Sequence, residues 1–181
     1  MPLPSIDRTM PATFPSDVRR AVWATLAAMA LLHPAQWAWS APLEPGARLP
    51  EIVLKDQHDR PVAVTASTRR LVFSAERAVG DMVSKLLSAQ PAGVLDRQHA
   101  VYVADISAMP SLVTRMFALP KMRELPFAMG LVREAAEQAQ VADLPRQPGA
   151  ATVLHLADGR VRQIDLVRNE AQLLAALGLA P

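Results

Sequence analysis

The chain of 181 residues is 51% hydrophobic, 20% charged and 4% aromatic, carries a formal net charge of +2 and contains no cysteine. This composition is typical of a globular protein, and the small net charge makes nucleic acid an unexpected partner. The absence of cysteine excludes disulfide bonds and any thiol chemistry by the chain's own sulfur.

The N-terminal segment has the pattern of an export signal. An apolar run at residues 21–32 follows Arg19 and Arg20, and it is shorter than the roughly 20 apolar residues that span a bilayer. Ala38 and Ser40 then provide the small residues that a signal peptidase recognises. We therefore expect residues 1–40 to be a signal peptide and the location to be periplasmic. An uncleaved anchor is the alternative, and it would be the chain's only contact with a membrane.

The first half of the remaining chain, from about Ala41, predicts a hairpin, a strand, a helix and a buried strand. β-prone runs at residues 52–54 and 62–64 are separated by polar residues that suit a turn. Residues 70–73 predict a third strand, and apolar residues from Gly80 onward recur at helical spacing. The continuous apolar run at residues 100–104 predicts a strand that is buried on both faces.

The second half predicts a helix over residues 110–118, in which the apolar residues form a single stripe against the core, with Ser107 as a cap and Pro120 as the stop. That stripe consists of Leu112, Val113, Met116 and Phe117. A strand over 127–132 and a short helix over 134–142 follow. Residues 151–156 and 161–167 predict a hairpin around Asp158 and Gly159, and a helix over 170–177 closes the chain.

This order of elements predicts one α/β domain over residues 41–181, a mixed central sheet with helices on both faces, ending in a β-hairpin and a helix. Residues 46–62 contain a glycine, a proline, an apolar strand, a turn and a second strand. With this opening and the closing hairpin, the chain resembles the thioredoxin superfamily, in particular its peroxiredoxin-like and periplasmic redoxin branch. The resemblance implies a thioredoxin-like fold over essentially the whole mature chain.

The resemblance also locates the family's redox motif. It places Ala78 and Asp81 at the two cysteine positions and Ala151 at the position of the cis-proline, with Pro148 the nearest proline. Alanine and a carboxylate exchange no disulfides, so we expect neither thiol-disulfide oxidoreductase nor thiol peroxidase activity.

We expect instead a redox-inactive binding or accessory protein for another periplasmic or membrane protein, with no cofactor and no metal. Its partner-binding surface would be the face that holds the family's active site. The residues assigned to that surface are Glu76, Arg77, Ala78, Asp81, Met109 and Pro110.

Two other functions remain open from the residues. Four methionines fall at positions 109, 116, 122 and 129, and thioethers bind copper(I), so the alternative is a periplasmic copper-handling protein with methionine or histidine ligands. Methionine also fills irregular core gaps, and Met116 belongs to the predicted core stripe. The other possibility is a cysteine-free enzyme that uses Asp105 and Ser107.

Overall fold

The computed structural model describes residues 43–179, so the predicted signal peptide and its cleavage point lie outside the described residues. Seven strands form one sheet in the order β2-β1-β5-β4-β3-β6-β7. The strands are β1 (Ile52–Lys55), β2 (Pro61–Val64), β3 (Arg70–Ser74), β4 (Ala100–Asp105), β5 (Gly130–Val132), β6 (Ala151–Ala157) and β7 (Arg160–Val167).

The centre of the sheet is parallel and its flanks are antiparallel. β4 lies parallel between β3 and β5, whereas β6 pairs antiparallel with β3 and β1 pairs antiparallel with β5. Two hairpins form the edges, β1 with β2 and β6 with β7. The predicted turn between β6 and β7 is present, because Asp158 and Gly159 both adopt positive φ angles (51° and 70°).

Six α-helices are present within residues 43–179, and two of them are joined without a break by a π-helical turn. They are α1 (Arg77–Ser88), α2 (Val94–Arg97), α3 (Ser111–Val113), α4 (Leu119–Arg123), α5 (Ala135–Gln140) and α6 (Glu170–Ala176). A π-helical turn, Thr114–Ala118, joins α3 to α4. None of these helices is long and apolar enough to cross a bilayer.

The sheet buries apolar side chains on both faces. One core includes Val83 and Leu87 from α1 and Leu173 from α6. The other lies beneath the chain that leads into β1 and the turn after α5, where Leu43 and Leu144 are buried. The predicted mixed sheet with helices on both faces is therefore confirmed.

The structure corrects the predicted helix over residues 110–118 in two respects. Pro120 does not end it, because the backbone stays helical to Arg123. A proline has no N–H to donate and crowds the preceding turn, and the π-helical turn before it accommodates both effects. Ser107 is not the cap, since the helix begins after Pro110 with no side-chain cap.

A third correction concerns the apolar stripe, which we predicted to face the core. Leu112 and Phe117 are each 67% exposed, Met116 is 59% exposed and Val113 is 40% exposed. The segment instead rests on the core through a second row: Thr114 is buried, and Met122 packs against the first core. The prediction of core packing for the stripe, including Met116, is wrong.

Candidate functional site

Two loops meet at the start of α1. Glu76 is the N-cap residue of α1: its own backbone is still extended, and the helix begins at Arg77, three residues earlier than Gly80. Its side-chain Oε1 accepts a hydrogen bond of 3.1 Å from the N–H of Gly149, in the loop that leads into β6. Glu76 therefore ties together the two loops to which the resemblance assigns the redox site.

The positions assigned to the missing cysteines lie in the first turns of α1. Ala78 and Asp81 are both exposed, and the Asp81 carboxylate lies 3.9 Å from the Arg77 guanidinium. An exposed pair at that distance contributes little to stability. Neither position supplies a thiol nucleophile.

A groove of about 550 Å³ runs between α1 and the segment of residues 111–125. Its volume is within the range of ligand-binding clefts. The lining residues are Ser74, Glu76, Arg77, Gly80, Asp81, Ser84, Lys85, Ser88, Tyr102, Ala104, Asp105, Ile106, Met109, Val113, Phe117, Ala118, Lys121, Met122, Leu125 and Met129.

Two buried hydroxyl groups contribute to the groove lining. Ser74, at the end of β3, and Tyr102, on β4, are hydrogen-bonded to each other at 2.9 Å. Burial raises the pKa of the Tyr102 hydroxyl, although hydrogen bonds from Ser74 and Ser84 oppose that shift. Tyr102 is consequently a neutral hydroxyl at physiological pH, and its hydrogen bond with Ser74 links the end of β3 to β4.

The predicted surface residues are only partly brought together. Glu76, Arg77, Asp81 and Met109 all line the groove. Ala78 is exposed on α1 and Pro110 is exposed ahead of α3, and neither lines the groove.

Sequence reasoning missed three residues of the opposite wall, Val113, Phe117 and Lys121. They recur every four residues, so they share one face of a helix, which was the available signal. The prediction assigned the first two to the core and gave Lys121 no role.

Three of the four methionines converge on the same groove. Met109, Met122 and Met129 line it, with Met129 buried and the other two packed against the first core. Met116 lies on the exposed outer face. Thioether side chains are flexible and polarizable, so this lining is adaptable in shape.

Asp105 and Ser107 form a structural network. One carboxylate oxygen of Asp105 accepts hydrogen bonds from the Ser107 N–H and hydroxyl, and the other accepts one of 2.8 Å from Arg146. The Ser107 hydroxyl is also held by the Gln138 amide. Burial acts to raise the pKa of Asp105, but the bonds from Ser107 and Arg146 outweigh it and lower the pKa. A carboxylate stabilised in this way is a weak base, so the arrangement favours a loop anchor over a catalytic pair.

The loop before β6 forms a smaller cavity of about 230 Å³ beside the groove, with Phe73, Arg146 and Pro148 among its lining residues. The Arg146 guanidinium lies 4.9 Å from the centre of the Phe73 ring. All peptide bonds in the described part of the chain are trans, including those at Pro148 and Ala151.

The turn between β1 and β2 has a structural explanation too. Asp56 is buried and accepts hydrogen bonds from the N–H groups of His58 and Arg60, and Asp59 pairs with Arg133 at 2.9 Å. Within residues 43–179, no group of three or more histidine, cysteine, aspartate or glutamate side chains is arranged to hold a metal ion.

No protein-family model matches the chain, and no curated protein matches its sequence. Solved structures do resemble it. A peroxiredoxin-like protein from Aquifex aeolicus superposes with a TM-score of 0.50 at 12% identity, covering 77% of this chain and 89% of that one. Peroxidoxin BcpB from Mycobacterium tuberculosis gives 0.49 at 16% identity, with coverages of 75% and 95%.

A thio-disulfide isomerase from Thermus thermophilus gives a TM-score of 0.44 at 22% identity, with coverages of 77% and 100%. Identities this low indicate the fold alone, and a shared fold leaves function open. The mixed seven-stranded sheet and the Aquifex aeolicus match identify the fold as thioredoxin-like, in a chain that has no cysteine to perform thiol redox chemistry.

Proposed function

We propose that this protein is an exported binding protein that acts as an accessory to another protein of the cell envelope. Export is supported by the pattern of residues 1–40. Binding is supported by the groove, which opens beside the start of α1, where the resemblance places the redox motif. Recognition of a partner would replace thiol chemistry at this face.

The observation that carries the proposal is the wall of the groove opposite α1. Val113 and Phe117 line the groove and remain exposed, and Leu112 and Met116 extend the same apolar surface outward. Monomeric proteins seldom leave several large apolar side chains exposed side by side unless the surface binds something.

Photo-crosslinking in the native host tests this proposal. A photoreactive phenylalanine analogue replaces Phe117 in one strain and Asp81 in a second, and His58, exposed on the β1–β2 turn, carries it in the control. We expect one protein adduct of defined mass from positions 117 and 81 and none from position 58. The adduct from position 81 should disappear when Phe117→Ser is added. In the chain that keeps Phe117, the same adduct should also form in vitro with the purified partner. Identical adducts from all three positions, or none from 117 and 81, would refute the proposal.

A second candidate is copper(I) handling, which is favoured by Met109, Met122 and Met129 lining one groove. The double variant M109L/M122L should lose copper(I) in competition with a chromogenic chelator, because two of three thioethers are removed. The matched control is M116L, since Met116 lies outside the groove and its loss should change nothing. Equal retention by the double variant and the control would eliminate this function.

A further inference from the structure

We infer that the partner element which occupies the groove is an amphipathic helix with acidic residues along the edge that meets residues 111–123. This inference rests on the proposed binding function and specifies the chemistry of the partner. Its support comes from the extent of the groove, the secondary structure around it, the apolar wall and the distribution of charge.

The groove extends along α1. Residues from Arg77 to Ser88 line it, which spans three helical turns or about 16 Å. The side chains that α1 directs toward it include the small residues Gly80, Ser84 and Ser88. Because these residues are small, they occupy little space beside α1, and a row of side chains from a partner can be placed there.

The secondary structure around the groove indicates which kind of partner fits. Strand addition needs an unpaired strand edge, but β3 and β4 are each paired on both sides, and the edge strands β2 and β7 contribute nothing to the lining. A polyproline helix needs an aromatic groove, and the aromatic residues here are Tyr102 and Phe117 alone. Of the three modes in which a strand, a polyproline helix or an amphipathic helix is recognised, insertion of side chains from an amphipathic helix is the one that suits this groove.

The apolar wall suits such a helix. Six large apolar side chains are exposed in the described part of the chain, and four of them fall within residues 112–117. The methionines on the floor and wall can adapt to the shape of an inserted side chain. A partner helix would present its apolar residues at intervals of three and four to fill this groove.

Charge determines the character of the partner's flank. Residues 111–125 contain three basic residues, Arg115, Lys121 and Arg123, and one acidic residue, Glu124. Arg123 donates to the Gln57 carbonyl, whereas Arg115 and Lys121 are exposed and form no ion pair with any residue that the structure describes. Lys121 lines the groove, and Arg115 is exposed on the same segment outside the lining. The segment therefore has a net positive charge.

The other wall is balanced by comparison. On α1, Arg77 lies near Asp81, and Lys85 pairs with Glu170 at 2.8 Å. Glu76 is engaged by the Gly149 N–H. Acidic residues on a partner helix would consequently be attracted to Lys121 at the groove and to Arg115 beside it, which orients the helix in the groove.

Synthetic helical peptides of 16 residues test the inference with the full chain at low salt, by fluorescence anisotropy. All share one leucine row; one has glutamate flanks, a second has lysine flanks, and a third has the leucines replaced by serine. We expect the acidic peptide to bind about 10-fold more tightly than the basic one, and the serine peptide to bind hardly at all. R115E/K121E should reverse the preference between the charged peptides.

Phe117→Ser should weaken the acidic peptide about 10-fold or more, because it removes an exposed anchor from the wall. The matched control is Leu166→Ser, which removes an exposed leucine on β7, outside the groove, and should leave binding unchanged. Circular dichroism and unfolding curves establish that each variant is folded.

Three results would each overturn the inference: the acidic peptide does not bind saturably, the two charged peptides bind equally well, or Phe117→Ser binds the acidic peptide with unchanged affinity. Cosedimentation with anionic phospholipid vesicles in place of peptide binding would also overturn it, since the wall would then contact a lipid surface. If the crosslinked adduct from position 81 persists while the peptides fail, the proposed function stands and the helical occupant is wrong.

Discussion

Gly80 shows at the scale of one residue how the groove is kept open. It lies inside α1, where glycine costs about 0.5–1 kcal/mol relative to alanine, and its backbone does not require a positive φ. A Cβ added there would meet the Ser74 hydroxyl at 3.4 Å and the Tyr102 hydroxyl at 3.5 Å, which are ordinary contact distances. The fold therefore tolerates a methyl group that the sequence leaves out.

We predict that Gly80→Ala raises the free energy of unfolding by about 0.5–1 kcal/mol, because it removes the conformational freedom of glycine from a helix interior. Urea denaturation measures the change. Gly46→Ala is the contrasting control: the φ of Gly46 is +94°, so alanine there should destabilise the protein. A loss of stability in Gly80→Ala would mean that the methyl group disturbs the hydroxyl pair beneath α1.

At the scale of the elements, the sequence predicted most strands and failed at the segment that forms the wall. β4 was predictable because a continuous apolar run of that length indicates a strand with neighbours on both sides. The β6–β7 hairpin was predictable because Asp158 and Gly159 tolerate the backbone angles of a tight turn. Such signals are local to the residues that carry them.

The segment of residues 111–123 lacks a comparable local signal. Helical spacing showed that Leu112, Val113, Met116 and Phe117 share a face, but spacing does not show which face meets the core. The face that meets the core carries Thr114 and Met122, and the core that they contact is formed by residues far away in the chain. The residues on the α1 side of the site were predicted from a family resemblance, and that resemblance did not indicate which residues form the opposite wall.

At the scale of the whole molecule, acidic side chains stabilise two loops and one pair of strands. Asp56 binds the β1–β2 turn, Asp105 binds the chain after β4, and Asp165 on β7 contacts His155 at 2.7 Å. Burial acts to raise the pKa of each, but hydrogen bonds to the carboxylates prevail and lower the pKa below its ordinary value. The folded state therefore favours the ionised form in all three.

We predict that the protein keeps its stability from neutral pH down to about pH 4 and loses it progressively below. A carboxylate whose pKa is lowered on folding stabilises the fold above its unfolded pKa, about 3.9, and loses that contribution as the pH falls through the folded pKa. Urea unfolding across this range measures the effect. Asp56→Asn keeps an oxygen for the two backbone N–H groups and loses the ion pair with Arg60. The free energy of unfolding of Asp56→Asn should fall short of that of the original protein most at neutral pH, and the difference should shrink below pH 4. A difference that stays constant down to about pH 3 would assign Asp56 a role independent of its charge.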